Sequence, residues 1–132
     1  MTQFVKVGRI VKDRRALRIE IDGRNGPGDL VIGAEAVRGL FDGKEVDVCF
    51  VQVRAPDRVF IGCSGTARIS RSGRAVTLKI DGQTYTSPLM QVRQVVAGTR
   101  TAALLSRPVP AGVIDADREQ RERIDAGLIH AF

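Results

Sequence analysis

Few side chains in this sequence are suited to catalysis or metal binding, and they are scattered. The one histidine, His130, stands third from the end of the 132-residue chain, between Ile129 and Ala131. General acid–base work wants His or paired carboxylates held together, and the one His stands apart in the chain's last residues. Asp22 and Asp81 each precede a glycine, a pattern that belongs to turns. Ser64-Gly65 and Ser72-Gly73 have no base beside them and no nucleophile-elbow sequence around them. Gly23-Arg24-Asn25-Gly26-Pro27-Gly28 is glycine-rich but lacks the Lys-Ser/Thr of a phosphate-binding loop. Cys49 and Cys63 sit in apolar, strand-like runs and are expected to be buried free thiols acting as small hydrophobes. Two cysteines with one distant histidine fall short of the four close ligands of a structural zinc site. The sequence therefore carries no expectation of an enzyme, a metal, an organic cofactor or a small-molecule substrate.

Cationic chemistry is better represented. Lys12, Arg14, Arg15 and Arg18 form one cluster, and Arg68, Arg71, Arg74 and Lys79 form another. The chain carries 21 Lys and Arg against 15 Asp and Glu, a net charge of +6. From Arg58 to Arg107 there are eight basic residues and a single acid, Asp81. Guanidinium and ammonium groups clustered at turns suit contacts to phosphates, which carry no base sequence by themselves. An Arg-rich composition alone also produces such clusters. The single Tyr and five Phe fall mostly in core-like positions, so no platform for base stacking is expected.

The elements that must position these residues come as a repeat. Arg9-Ile10 … Arg15-Ala16-Leu17-Arg18-Ile19-Glu20-Ile21-Asp22-Gly23 returns as Arg68-Ile69 … Arg74-Ala75-Val76-Thr77-Leu78-Lys79-Ile80-Asp81-Gly82. The two blocks align without a gap, with seven of fifteen positions identical. Val37-Arg38-Gly39-Leu40-Phe41-Asp42-Gly43 matches Val92-Arg93-Gln94-Val95-Val96-Ala97-Gly98 after a four-residue indel. Each copy is too short to sustain a core easily by itself. The expectation is one mainly β domain over residues 1–108, with halves at about 5–53 and 64–107 related by a pseudo-twofold axis as a barrel or a sandwich.

Within each half, alternation and punctuation define the parts. Phe4–Val11 is rich in β-branched residues, and Ala16–Ile21 alternates with Leu17, Ile19 and Ile21 on one face. Gly65–Ser70 and Ala75–Ile80 repeat that pair around Arg71-Ser72-Gly73-Arg74. Short helices are expected at Ala34–Phe41, stopped by Gly43, and at Leu89–Ala97, opened by Pro88 and stopped by Gly98. Arg58–Cys63 is expected as a separate connecting strand, and Arg107–Gly112 as the Pro/Gly boundary of the domain.

Residues 109–132 form a linker, a short charged helix over Asp115–Asp125 and an apolar end. Leu128, Ile129 and Phe132 have no reason to be apolar unless they dock, which points to a homo-oligomer with the tail in the contact. No apolar run approaches the ~18 residues of a membrane span, and Met1–Val7 lacks the apolar stretch of a secretory signal. A cytoplasmic protein with no membrane partner is expected.

Val31-Ile32-Gly33 … Val37-Arg38-Gly39-Leu40 … Gly43-Lys44-Glu45-Val46-Asp47-Val48 resembles the strand–short helix–strand element of cradle-loop barrels, including AbrB-like transcription factors. Thr86-Ser87-Pro88 … Val92-Arg93 would be its second copy. The resemblance implies a DNA-binding pseudo-dimer, although the leading arm of that family has no counterpart here. Arg14-Arg15-Ala16-Leu17-Arg18 and Ser70-Arg71-Ser72-Gly73 resemble pieces of the cyclic di-GMP-binding PilZ domains. Arg68 stands where that family has an acid or Asn, and this likeness is set aside. The leading expectation is a non-enzymatic homo-oligomeric scaffold; the alternative is a nucleic-acid-binding protein using its basic hairpin turns.

Overall fold

Alternating apolar residues, interrupted by short polar turns, build a closed barrel of eight antiparallel strands in sequence order. The computed structural model describes residues 2–24, 28–54 and 57–110. The strands are β1 (Thr2–Asp13), β2 (Ala16–Ile21), β3 (Gly28–Ile32), β4 (Val46–Arg54), β5 (Asp57–Ile69), β6 (Ala75–Ile80), β7 (Gln83–Pro88) and β8 (Ala102–Pro110). Helix α1 (Ala34–Phe41) lies between β3 and β4, and α2 (Leu89–Ala97) between β7 and β8. The architecture is thus a barrel and not a sandwich, and both helices have the expected bounds.

Contacts divide the chain into two compact units. Lys6–Arg107 form one; Met1–Val5 with Pro108–Phe132 form the other, of which residues 2–5 and 108–110 are described. The expected C-terminal helix and the apolar tail residues Leu128, Ile129 and Phe132 lie outside the described residues.

Inside Lys6–Arg107 the inward faces follow the period of two that strands impose. Ile10, Leu17, Ile19, Leu30, Ile32, Val48, Val76, Leu78, Ile80 and Leu105 are essentially excluded from solvent. Each such side chain contributes roughly 1.5–3 kcal/mol on burial. The helices add a stripe at a spacing of three: Val37 and Leu40 from α1; Leu89, Val92 and Val95 from α2. Both end in the same way. Gly43 and Gly98 take left-handed backbone at φ 86° and 82°. Their N–H groups donate to Leu40 and Val95, while Lys44 and Thr99 donate to Gly39 and Gln94, so the last-turn carbonyls are satisfied.

Strand direction alternates around an antiparallel barrel, so the β1–β2 turn, the β5–β6 turn and both helices share one end. The β2–β3 and β6–β7 connections lie at the other. At that second end Asp81 (φ 51°) and Gly82 (φ 78°) make a two-residue turn with Ile80 opposite Gln83, the doubly left-handed geometry that suits strand twist.

Two strand-level expectations need correction. The ungapped match of Arg9-Ile10 to Arg68-Ile69 does not survive pairing. Leu17 lies opposite Lys12, whereas Val76, its match in the repeat, lies opposite Ile69. The first hairpin closes through Arg14-Arg15 alone, from Asp13 to Ala16. The second closes from Ser70 to Ala75 across four residues, with the Ser70 N–H donating to Ala75 O. Two extra turn residues shift the preceding strand by two, and a shift of two preserves which face points inward; sequence similarity alone therefore did not expose it.

The second correction concerns β5. It is a single strand from Asp57 to Ile69, not a connecting strand followed by another, and it absorbs two register shifts against β4. The ladder continues through Ser64-Gly65, because Ser64 is accommodated as a bulge between the Val48–Gly65 and Cys49–Cys63 pairs. Strand β8 runs through Pro108 to Pro110, where Pro is tolerated toward a strand end.

No helix among the described residues is long and apolar enough to cross a membrane.

Candidate functional site

The expected basic residues fall into two groups with different surroundings. In the first hairpin, Lys12 shares its register position with inward-facing Leu17. Its ammonium reaches the last turn of α2, where Nζ donates to the Val96 carbonyl oxygen at 3.0 Å. A cation there satisfies an orphan carbonyl and complements the negative end of the helix. Arg18 points outward between Asp13 at 3.6 Å and Glu20 at 3.9 Å. Glu20 in turn accepts from Arg9 Nε at 3.1 Å. Carboxylates therefore accompany the cations along the outer face of β1 and β2. Arg14 and Arg15 remain, exposed at the turn, with Arg14 held at φ 60°.

The second group is differently placed. Arg68 and Lys79 point outward on β5 and β6, opposite Thr77 and Thr66 respectively. Lys79 also faces Thr84 on β7, and Thr77 faces Thr86. Opposed residues on an antiparallel pair share a face, so this outer surface consists of two cations among four threonines. Among the described residues no carboxylate forms an ion pair with Arg68, Arg71, Arg74 or Lys79. Asp81 sits in the β6–β7 turn, two residues beyond Lys79 and at the end of β6 away from Arg71 and Arg74.

At the helix-bearing end of the barrel, this surface continues into a groove. Arg71 and Arg74 occupy the exposed β5–β6 turn, which Ser70 and Ser72 shape: their hydroxyls lie 3.0 Å apart, and the Ala75 N–H donates to Ser70 Oγ at 3.3 Å. The turn is fastened to α2 where the Leu89 N–H donates to the Arg74 carbonyl at 2.9 Å. Gly73, Arg74, Leu89, Met90 and Arg93 line the resulting groove of about 480 Å³. Arg93 was not among the expected site residues. Its guanidinium stacks over the Phe41 ring at 4.8 Å, a cation–π contact that ties α2 to α1. The signal that marks it is its place on the exposed side of α2, one residue past buried Val92.

The structure thus brings Arg68, Arg71, Arg74 and Lys79 to one face and edge. Lys12 and Arg18 are engaged elsewhere, so the two clusters are not matched. Tyr85 is buried at 8 % exposure, and this face presents no exposed aromatic ring among the described residues.

Cys49 and Cys63 correct another expectation. They are not buried: Cys63 is exposed and Cys49 half-buried. The bulge at Ser64 places them directly opposite one another on β4 and β5. Burial, then the neighbouring Cys63, then Asp47 push the Cys49 thiol above its ordinary range. Among the described residues no three His, Cys, Asp or Glu side chains gather closely enough to hold a metal ion.

No protein-family model, curated protein or solved structure matches this chain, so the likeness to cradle-loop barrels remains a local pattern of strand, helix and strand.

Proposed function

We propose that this chain is a non-catalytic cytoplasmic protein that binds the phosphate backbone of nucleic acid. The contact surface is the outer face of β5–β7 together with the β5–β6 turn. One observation carries the reading: Arg68, Arg71, Arg74 and Lys79 form no ion pair with any described carboxylate. Four threonines stand across from the two strand cations, and hydroxyls join Lys and Arg as phosphate donors. Among the described residues this face presents no exposed ring to stack on bases, so binding there is indifferent to sequence and sensitive to salt.

The test is an electrophoretic shift with random duplex DNA, single-stranded DNA and RNA at low and moderate salt. The expected result is a shift at low salt that weakens steeply as salt rises. A simultaneous Arg71→Ala, Arg74→Ala, Lys79→Ala substitution should flatten the slope of log K against log salt by up to about 0.9 per lost contact on duplex DNA. Absence of any shift at low salt refutes the reading.

We also infer that the halves are copies of one ancestral unit. The element order strand–strand–strand–helix–strand occurs twice, and both helices end in the same hydrogen-bonded cap. Gly8 and Gly65 occupy matching places, each where a Cβ would overlap a carbonyl oxygen of the neighbouring strand, Glu20 and Lys79 respectively.

A second reading, a homo-oligomeric scaffold, is favoured by apolar side chains exposed on the first turn of α2 and on β8. Met90 is 71 % and Leu104 36 % exposed. Gln91, next to Met90, accepts the Leu104 N–H at 2.8 Å. The two surfaces meet at Met90, which also lines the groove beside Arg74 and Arg93, whereas Leu104 lies on β8.

A further inference from the structure

We propose that Cys49 and Cys63 are a reversible dithiol–disulfide couple on the barrel surface, linking β4 to β5 when oxidised. Three observations carry it. The residues are direct register partners on adjacent antiparallel strands, where side chains share a face and Cβ atoms lie about 4.5–5.5 Å apart. That is a separation close to the one a disulfide spans. Second, the pair is accessible: Cys63 is exposed and Cys49 half-buried. Third, the bulge on β5 creates the alignment, since Val48 pairs with Gly65 while the next residue, Cys49, pairs with Cys63. Were Ser64 paired in the ladder instead of bulged, Cys49 would face Ser64, Cys63 would fall opposite Phe50, and the thiols would stand on opposite faces.

The two thiols have unequal roles. Cys63 is the more exposed and meets an external oxidant first. Its thiol donates to the Gly65 carbonyl oxygen at 3.2 Å. Cys49 is more shielded, and its thiol is held protonated to higher pH by burial and by its neighbours Cys63 and Asp47; it acts second. The oxidant is a small-molecule disulfide. The Cys63 thiolate attacks one sulfur of that disulfide, forming a mixed disulfide and releasing one small thiolate. Cys49 then loses its proton to solvent, and its thiolate attacks Cys63 Sγ. The protein S–S bond forms, the mixed disulfide breaks, and the second small thiolate leaves. The protein loses two electrons and two protons, and the small disulfide is reduced to two thiols.

The full-length chain, reduced and then equilibrated with glutathione disulfide, tests this by intact mass and alkylation of the remaining thiols. The expected product is a monomer-linked species that has lost two hydrogens, retains no glutathione and has no alkylatable cysteine. Dithiothreitol should restore both thiols. The Cys49→Ser variant should instead retain glutathione on Cys63, because nothing resolves the adduct. A wild-type chain that keeps a stable glutathione adduct with Cys49 still alkylatable would overturn the proposal. A product linked only between chains would overturn it as well.

Discussion

Lys12 Nζ and the Val96 carbonyl oxygen are 3.0 Å apart, although 84 residues separate them in the chain. The contact joins the end of β1 to the last turn of α2. It withdraws one expected phosphate ligand from the surface and assigns it to helix termination. Lys12→Met should therefore lower stability by about 0.3–1 kcal/mol, the usual worth of an exposed cation at a helix C-terminus. The same variant should leave the salt slope of nucleic-acid binding unchanged. Urea denaturation and the salt titration, run on one preparation, check both halves of the expectation.

Arg18 and Arg71 should differ in the same assay. Arg18 stands between Asp13 and Glu20, so Arg18→Ala removes a cation whose charge is already matched, and the slope should stay as it is. Arg71→Ala or Arg74→Ala removes an unmatched cation and should reduce the slope by up to about 0.9 on duplex DNA. Equal effects from Arg18→Ala and Arg71→Ala would place the contact surface elsewhere.

Ser87 lies across β6–β7 from Val76, is fully buried, and its hydroxyl has no hydrogen-bond partner among the described residues. Such a hydroxyl forfeits about 1–3 kcal/mol of hydration without recompense. Ser87→Ala should raise stability by about 1 kcal/mol, read as a higher urea midpoint at unchanged slope. A lower midpoint would mean that the hydroxyl is satisfied after all.

Gly65→Ala would drive a methyl into the Lys79 carbonyl on the neighbouring strand. Backbone cannot move aside as a side chain does, so a loss of about 1–3 kcal/mol is expected. Gly62→Ala, in the same strand with no atom within 4 Å of the new methyl, is the control and should cost far less.

If the apolar tail joins protomers, a chain ending at Gly112 should be smaller by light scattering than the full chain. An oligomer that persists after truncation moves the interface to the barrel, with Met90→Ser and Leu104→Ser as the next variants to examine.

Much of the secondary structure was readable directly from residue order. Strand alternation at Leu17, Ile19 and Ile21, the stripe Val37–Leu40, Pro88 before α2 and Gly98 after it are all local signals. They depend on backbone dihedral preferences and on which face is apolar, and neighbours within a few residues supply both.

What the chain order did not reveal depends on pairing between distant segments. Whether a cation is free is decided by its cross-strand and spatial neighbours: Arg18 meets carboxylates, and Lys79 meets threonines. The two additional residues of the second hairpin turn preserve the facing pattern, so the strand shift they impose is invisible to periodicity. Cys49 and Cys63 become partners only because β5 accommodates Ser64 as a bulge, a balance between ladder hydrogen bonds and one unpaired residue. Closure into a barrel places both helices and the β5–β6 turn at one end, where Arg93 lies over Phe41. These relationships arise from register and closure, which the whole sheet sets together and no short stretch of sequence encodes.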